Sequence, residues 1–583
     1  MPLPLRTGMI RVISRGPAPL NASVNPHAPQ VKRLHYHLIT LNCRYSHSCL
    51  ALFYLRNALE RHLPGCRVGM SQLTINDPYY DTLLRLSGNE AEALFFSVYI
   101  WNGTYVSRLV RDLARLRPDR PIILGGPQAP VLAGLTDGCT VIHGEIEGVD
   151  DSFYADLQQG RLRPAYRAVS GRPFHSPYRP QDFAGPLANR QIYYESSRGC
   201  PFFCSYCLSS VKHGVFHKEI ETVRQELAAI LEQRPVIIKF IDRTFNDDPH
   251  RALAIWRFLA ARPVGTRFHF EIAPDRFTGE MFAFLETVPP DLFQFEIGIQ
   301  STDPETLAAV NRKMDVELAA ANIRRLVRLD SIHLHVDLIL GLPRDTVESF
   351  RRSFNRVFEL EPHHIQMGQL KVLPETAIRN EAENFGIIYC EQPPYEVLAT
   401  RWLDHRAIGH LHAFGECVEA FYNNRFFRSL WRYILNRREE PFLFFQALLA
   451  TAREHGFFEL ARTPQLLTRI LCELAAGRPD RELLLELLRY DWLRCGHRLP
   501  PRYLAPTPAR DMRAEMRKKL PQNYAGLFTY RDRDEFLKQR SFLRLSGAAL
   551  LELGLSSSGR TGTVCFLPEQ TAGVIKHSRA VLL

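Results

Sequence analysis

Cys200-Pro201-Phe202-Phe203-Cys204-Ser205-Tyr206-Cys207 places three thiols at spacings of four and three residues. Such a set suits a soft, thiolate-loving centre, either zinc or an iron–sulfur cluster. Structural zinc sites close four ligands from two paired knuckles. No second pair exists here, because the next cysteine along the chain is Cys390. Three ligands in one loop leave one coordination position open to a substrate or cofactor. Residues 192–197 read as a strand, and Arg198-Gly199 turns out of it into the loop. The loop is therefore expected at the C-terminal end of a first barrel strand, where α/β barrels carry their chemistry.

Downstream, strand patterns at 236–241, 267–272, 292–299, 333–340 and 364–372 alternate with helix patterns at 218–232, 250–261, 280–287, 316–329 and 347–360. With the first strand these make six βα units, a partial barrel over residues 190–375. Polar residues fall at the strand ends: Asp242-Arg243-Thr244, Glu271, Glu296 with Gln300-Ser301, and Gly341-Leu342-Pro343. On such a barrel these positions face the reacting end.

Upstream, residues 34–165 also alternate strand and helix signals. Strands are expected at 34–41, 67–73, 93–100, 121–124 and 139–142, with helices at 49–62 and 105–116. That pattern predicts a doubly wound parallel sheet whose ligand sits over the carboxyl ends of its strands. The residues there are Asn42-Cys43-Arg44-Tyr45-Ser46-His47, Ser97-Val98-Tyr99, Gly125-Gly126-Pro127 and His143-Gly144-Glu145. Glycines at such ends let the backbone approach a bulky planar ligand, and small hydroxyl side chains bond its polar tail.

The C-x3-C-x2-C spacing, with an aromatic residue before the last cysteine, resembles the cluster loop of radical S-adenosylmethionine (SAM) enzymes. The domain ahead of it resembles the cobalamin-binding domains that precede many of them. The runs Tyr193-Tyr194-Glu195-Ser196-Ser197-Arg198-Gly199-Cys200, Phe295-Glu296-Ile297-Gly298-Ile299-Gln300-Ser301 and Pro393-Pro394-Tyr395-Glu396-Val397-Leu398 narrow the resemblance to a DUF4080-like branch. That branch ends in a helical domain of unassigned role. Pro374-Glu375-Thr376 departs from the Pro-Gly-Thr common at that point in the superfamily.

The resemblance implies that Cys200, Cys204 and Cys207 hold a [4Fe–4S] cluster and that SAM chelates its fourth iron. It implies further that Tyr206 stacks on adenine, and that Glu296, Gln300 and the Leu340-Gly341 backbone meet the ribose and adenine. Asp242 and Arg243 fall where the family binds the methionine end. Tyr45, His47, Ser97, Tyr99, Gly125, Gly126, Pro127, Gly144 and Glu145 are the corresponding cobalamin residues. The Asp-x-His-x-x-Gly motif that places a histidine on cobalt is absent. Tyr45 and His47 are therefore expected to touch the lower face or the tail without ligating the metal.

The expected activity is reductive cleavage of SAM to a 5′-deoxyadenosyl radical, leading to radical C-methylation, with a flavodoxin- or ferredoxin-type electron donor. Cyclisation or rearrangement without methyl transfer is the enzymatic alternative. An RNA methylthiotransferase is disfavoured, because the second three-cysteine domain of those proteins has no counterpart here. A non-catalytic metal or cobalamin binder is the remaining reading.

The rest of the chain is consistent with these expectations. A chain of 583 residues with 45% hydrophobic and 23% charged residues suits several globular domains. The net charge of +11 permits an anionic partner without requiring one. Scattered cysteines favour a reducing, cytoplasmic compartment, and no apolar run is long enough for a membrane span. Residues 1–33 are basic and proline-rich, and are expected to be a disordered extension. Residues 393–583 read as amphipathic helices, clearest at 442–454, 465–475 and 481–493. The basic stretch 510–544, with Tyr524, Phe528 and Tyr530, reads equally well as an RNA contact and as a solvated helical face, and nucleic acid is not the favoured partner.

Overall fold

Strand runs that are apolar on both faces become buried parallel strands, and the first domain is built from them. β1 (His35–Asn42), β2 (Arg67–Thr74), β3 (Ala93–Ser97), β4 (Ile122–Gly125), β5 (Cys139–His143) and β6 (Ala165–Arg167) form one parallel sheet in the order β2-β1-β3-β4-β5-β6. The computed structural model describes residues 34–133, 138–211, 214–262, 265–505, 510–519 and 533–583. The expected extension at 1–33 and the aromatics Tyr524, Phe528 and Tyr530 lie outside the described residues. The strand order reverses between β1 and β3, so the carboxyl ends there frame a crevice. Asn102 staples its two sides, donating from Nδ2 to the carbonyls of Leu41 and Ser97 at 3.1 Å each. The expected strands and helices of this sheet hold to within a few residues, and β6 adds a sixth strand.

Six parallel strands form the second sheet: Ile192–Tyr194, Ile237–Phe240, Arg267–Ile272, Phe293–Gln300, His333–Leu340 and His364–Gln369, each hydrogen-bonded to the next. Residue alternation sets its two faces. Phe293, Phe295, Ile297 and Ile299 are buried against the helices, while Gln294, Glu296, Gly298 and Gln300 turn to the barrel interior. The next strand repeats this, with Leu334, Val336, Leu338 and Leu340 outward and His333, His335 and Asp337 inward. The barrel is thus apolar outside and polar within.

One strand differs from expectation. The run at 192–197 breaks after Tyr194, and Ser197–Gly199 pairs instead with Val215–His217 in a small antiparallel hairpin. Asp242 is the physical cause. Its buried carboxylate accepts from the Ser196 amide at 2.9 Å, the Ser196 hydroxyl at 2.5 Å and the Ser197 hydroxyl at 2.6 Å. These bonds draw the chain off the barrel and into the cysteine loop.

Past the barrel, helices at His405–Cys417, Arg428–Asn436, Pro441–Glu454, Pro464–Ala476 and Arg481–Arg494 pack into the same hydrophobic core as the barrel helices. The domain does not end as helices. Ser541–Leu545, Gly562–Gln570 and Ser578–Leu582 form a three-stranded antiparallel sheet. No helix among the described residues is long and apolar enough to cross a membrane.

Candidate active site

Cys200, Cys204 and Cys207 sit on one loop at the C-terminal end of the first barrel strand. Main-chain bonds fix it from two other parts of the chain: Ser205 N donates to the Val310 carbonyl at 3.0 Å, and Ile378 N donates to the Ser205 carbonyl at 2.9 Å. Asn311 Nδ2 adds a bond to the Phe203 carbonyl at 3.0 Å. Burial pushes the Cys200 thiol up, and Cys207 and Cys204 push it further, so the three sulfurs feel one another. Among the described residues no group of three His, Cys, Asp or Glu side chains converges on a single ion. A cluster asks for something different, one thiolate on each of three irons. The donor set fits it: three thiols on one rigid loop with a cation beside them.

That cation is Arg312, which the sequence reading missed. Its Nη1 donates toward Cys204 Sγ at 3.6 Å, its Nη2 donates to the Gly298 carbonyl, and its guanidinium faces the Phe202 ring at 5.4 Å. Thr244 Oγ1 lies 3.5 Å from Cys200 Sγ.

Below the loop, inward-facing polar groups gather from three strands. Asp337, also missed, has a buried Oδ1 with no hydrogen-bond partner, and so does the Oε1 of Gln300. Burial, then Glu296 and Glu271, drive the Asp337 carboxyl well above the carboxylate range. Glu271 is pushed up to about 7, chiefly by burial, although Arg243 lies 3.8 Å away. Glu296 is placed differently. It is level with Glu271 and one inward position deeper than Asp337, and the His269 imidazole at 2.9 Å holds it down to about 2. Gln300 has φ +70°, a left-handed conformation at a bulge in its strand, and its amide folds over Gly298. Unpartnered buried acceptors on the inward face of the barrel are ready for a ligand's hydroxyl or ammonium groups.

The other expected residues divide between ligand-facing and structural places. Arg243 lies beside Glu271, whereas Asp242 is spent on Ser196 and Ser197. Tyr206 packs against the main core beside the cysteines. Gly341 has φ +85°, and a Cβ there would come within 2.7 Å of Val397 Cγ1. The Pro393–Leu398 segment therefore owes its place to a glycine at the fifth strand's end.

The first sheet turns its carboxyl edge to this face of the barrel. After β1, His47 Nδ1 lies 3.1 Å from the Tyr193 hydroxyl. After β4, Gln128 bonds the Tyr395 hydroxyl. After β5, Glu147 pairs at 2.9 Å with Arg198, two residues before Cys200. Tyr45 is exposed and stacks under Arg190 at 4.3 Å, while Tyr99 stacks on Trp101 at 4.3 Å. Ser97 Oγ accepts from Cys49 Sγ at 3.4 Å. Gly126 has φ +104° beside the Val98 backbone, Gly144 has φ +93° beside Ala168, and Gly125 faces open space. Pro127 and Glu145 follow the same strand ends. The nine residues expected at cobalamin thus lie along one edge, with β1, β3, β4 and β5 adjacent.

Comparison with known proteins agrees with this geometry. Residues 194–357 match the radical SAM superfamily, and residues 383–539 match DUF4080, a family of unknown function. The 2-(S-pantetheinyl)-carbapenam-3-carboxylate methyltransferase of Streptantibioticus cattleyicolor is 25% identical over 414 residues, 60% of this chain and 60% of that protein. The cobalamin-dependent radical SAM methyltransferase TokK of Streptomyces tokunonensis is 25% identical over 357 residues, covering 52% of this chain and 51% of its own. The chain therefore spans 60% or less of these two relatives. Among solved structures, the cobalamin-dependent SAM radical enzyme OxsB with aqua-cobalamin bound has a TM-score of 0.56 at 13% identity, covering 79% of this chain and 80% of its own. TsrM of Kitasatospora setae, with cobalamin and a [4Fe–4S] cluster bound, has a TM-score of 0.50 at 18% identity, covering 62% and 78%. The chain thus carries, in order, a parallel-sheet domain, a barrel that matches the radical SAM superfamily over 194–357, and a C-terminal region that matches DUF4080 over 383–539.

Proposed function

We propose that the chain is a cobalamin-dependent radical SAM enzyme that methylates an unactivated carbon. The observation that carries this is the juxtaposition of the three-thiol loop with the carboxyl edge of the first sheet, through His47–Tyr193, Gln128–Tyr395 and Glu147–Arg198. The activities of those two relatives, both methyltransferases, support it. When bound, the [4Fe–4S] cluster and SAM supply a 5′-deoxyadenosyl radical, and cobalamin supplies methyl-transfer chemistry.

The chain's residues do the binding and orienting. Cys200, Cys204 and Cys207 hold three irons. Arg312, beside Cys204, neutralises the thiolates and takes the carboxylate of SAM. Asp337, Gln300 and Glu271 receive the ribose hydroxyls, while Tyr206 and the Leu340-Gly341 main chain flank adenine. Glu296 stays with His269 and props the strand beneath them. Ser97, Tyr99, Gly125, Gly126, Pro127, Gly144 and Glu145 line the corrin and its tail. His47, engaged by Tyr193, and Tyr45, engaged by Arg190, pack against it without ligating cobalt. The substrate occupies the space between the two domains, and a flavodoxin- or ferredoxin-type protein in a reducing compartment delivers the electron.

Anaerobic purification with cluster reconstitution, followed by mass spectrometry of SAM-derived products, tests the reading. About four iron and four sulfide per chain are expected, with 5′-deoxyadenosine formed by the parent and not by Cys204→Ala. A Cys204→Ala protein that cleaves SAM at the parental rate refutes the cluster assignment. A parent that makes no S-adenosylhomocysteine in the presence of cobalamin and cell extract refutes methyl transfer.

A further inference from the structure

The floor of the barrel, where its strands begin, is lined by imidazoles. His333 and His364 open the last two strands, His363 stacks on His333 with centroids 5.2 Å apart, and His335 stacks on His364 at 4.3 Å. The C-terminal sheet closes over this floor. Lys576 pairs with Asp291 at 2.9 Å, and the Val574 amide donates to Asp330 at 3.5 Å.

Cys495 Sγ lies 3.9 Å from His577 Nδ1 and 3.8 Å from the Phe426 carbonyl, which brings the neighbouring Arg494 and Arg425 to this junction. Arg428 precedes Ser429, whose amide donates to Asp491 beside Arg494. Burial, and then Arg494, Arg428 and Arg425, push the His577 imidazole down to about 3, so it is neutral. Arg425 has φ +64° and follows the π-helical turn Val418–Asn423. The Nη2 of Arg425, the Nε of Arg494 and the Nε2 of His577 are buried without hydrogen-bond partners. The carboxylates nearby are engaged. Asp491 accepts from the Ser429 amide at 3.0 Å and its hydroxyl at 2.7 Å, and pairs with Arg494 at 2.9 Å. Asp330 faces His363 at 3.8 Å as well as Val574. Among the described residues no carboxylate pairs with Arg425 or Arg428. Asp330 and Asp491 act on Arg428 only from beyond ion-pair distance, and poorly solvated guanidinium groups with so little counter-charge are costly, which water does not offset. Planar guanidinium forks match tetrahedral oxyanions, and a phosphate brings about two negative charges at once.

We propose that the junction between barrel floor and C-terminal domain is a binding site for a phosphate-class oxyanion, held by Arg425, Arg428, Arg494 and the Nε2–H of His577. The site lies at the opposite end of the strands from the cysteine loop. Its ligand is therefore a clamp or effector that joins the DUF4080 domain to the barrel, and it takes no part in the chemistry at the cysteines. Free phosphate and the terminal phosphoryl group of a larger metabolite share the recognition.

The full-length protein is titrated with inorganic phosphate, pyrophosphate or ADP during thermal unfolding, against sodium chloride at matched ionic strength. A saturable rise in Tm with at least one of the three, absent in Arg428→Gln, is expected. The probe that saturates lowest separates a bare ion from a phosphoryl-bearing metabolite. Phosphorus-31 line broadening by the parent protein, reversed by excess unlabelled sulfate, supplies a readout that needs no variant, should Arg494→Gln or Arg428→Gln fail to fold. A parent protein whose Tm with all three probes follows the chloride control, and which leaves the phosphorus line sharp, overturns the proposal. An equal rise in parent and folded Arg428→Gln does the same.

Discussion

Arg312 reaches the cysteine loop from a different part of the barrel, and its effect is separable from cluster assembly. Its guanidinium bonds Cys204 Sγ and the Gly298 carbonyl, and its Nε is buried without a partner. In the proposed site the three cysteines alone would supply the iron ligands. Arg312→Gln should therefore keep its iron after reconstitution while SAM binding weakens by roughly 10- to 100-fold, the loss of one charge-assisted hydrogen bond of about 1.5–3 kcal/mol. Equilibrium binding of SAM to the cluster-loaded variant, with iron content measured alongside, checks this. Loss of iron and SAM together would show that Arg312 shapes the loop instead. The cysteines were legible because their spacing is itself the chemistry. Arg312 and Asp337 were not, since a lone arginine in Val310-Asn311-Arg312 and a lone aspartate within an apolar strand carry no local pattern. Only the curled sheet brings them under the loop.

At the scale of elements, periodicity carried most of the fold, and side chains that bend the chain account for the rest. Strands such as Phe293–Gln300 alternate so regularly that their position needed no structure. The break after Tyr194 was hidden because its cause, Asp242, lies on the neighbouring strand. The C-terminal sheet was hidden because its two outer strands are only five residues long and its strands are parted by a helix and turns such as Ser556-Ser557-Ser558-Gly559.

The glycines after β4 separate two roles that look alike in sequence. Gly126 has φ +104°, and a Cβ would stand 2.5 Å from the Val98 carbonyl oxygen, so any replacement strains the fold itself. A Cβ on Gly125 meets nothing within 4 Å. Gly125→Leu is thus expected to unfold within a degree or two of the parent yet lose its corrin absorbance, whereas Gly126→Leu loses both. Thermal melts and visible spectra of protein reconstituted with hydroxocobalamin distinguish them.

The loop after the fifth barrel strand carries a pH dependence. Burial and Asp303 push the Asp345 carboxyl up to about 7, and Ser349 Oγ donates to its Oδ1 at 2.5 Å while Oδ2 has no partner. A carboxyl raised in the folded state is comfortable when protonated. Its contribution is intact below the unfolded value near 4 and is lost as pH rises through about 7. Asp345→Asn abolishes that loss, so its stability relative to the parent should grow by roughly 3 kcal/mol between about pH 5 and about pH 8. Denaturant melts of both proteins at the two pH values test it, and parallel curves would show that the carboxyl is ionised throughout.

Across the whole molecule, the first domain is held by a few buried polar contacts to the segment that leads into the barrel, which packs on the barrel core through Leu187. Arg56 of the Leu50–His62 helix donates to Asp182 at 2.5 and 3.0 Å and to the Pro177 carbonyl at 2.9 Å, with both charged partners buried. Removing one member of such a pair strands the other, at about 3–5 kcal/mol. Arg56→Ala should therefore uncouple the domains, turning one cooperative calorimetric transition into two, with the first domain melting earlier. A single transition at the parental temperature would show that the remaining contacts suffice.

The chain also meets itself through main-chain groups at that boundary. The Gln191 amide donates to the Ser46 carbonyl at 2.7 Å, and the Gln191 carbonyl accepts from the Ser48 hydroxyl at 2.6 Å, one residue before the first barrel strand begins. The loop leaving β1 and the strand leading to Cys200 thus share a splice made largely of main chain. Substitution hardly touches a main-chain bond, so the width of the gap between the two domains is inherited almost unchanged. Descendants of this chain can repaint the walls of that gap to suit a new guest, but they cannot readily move the walls apart. Divergence among such proteins is then confined to guests of one thickness.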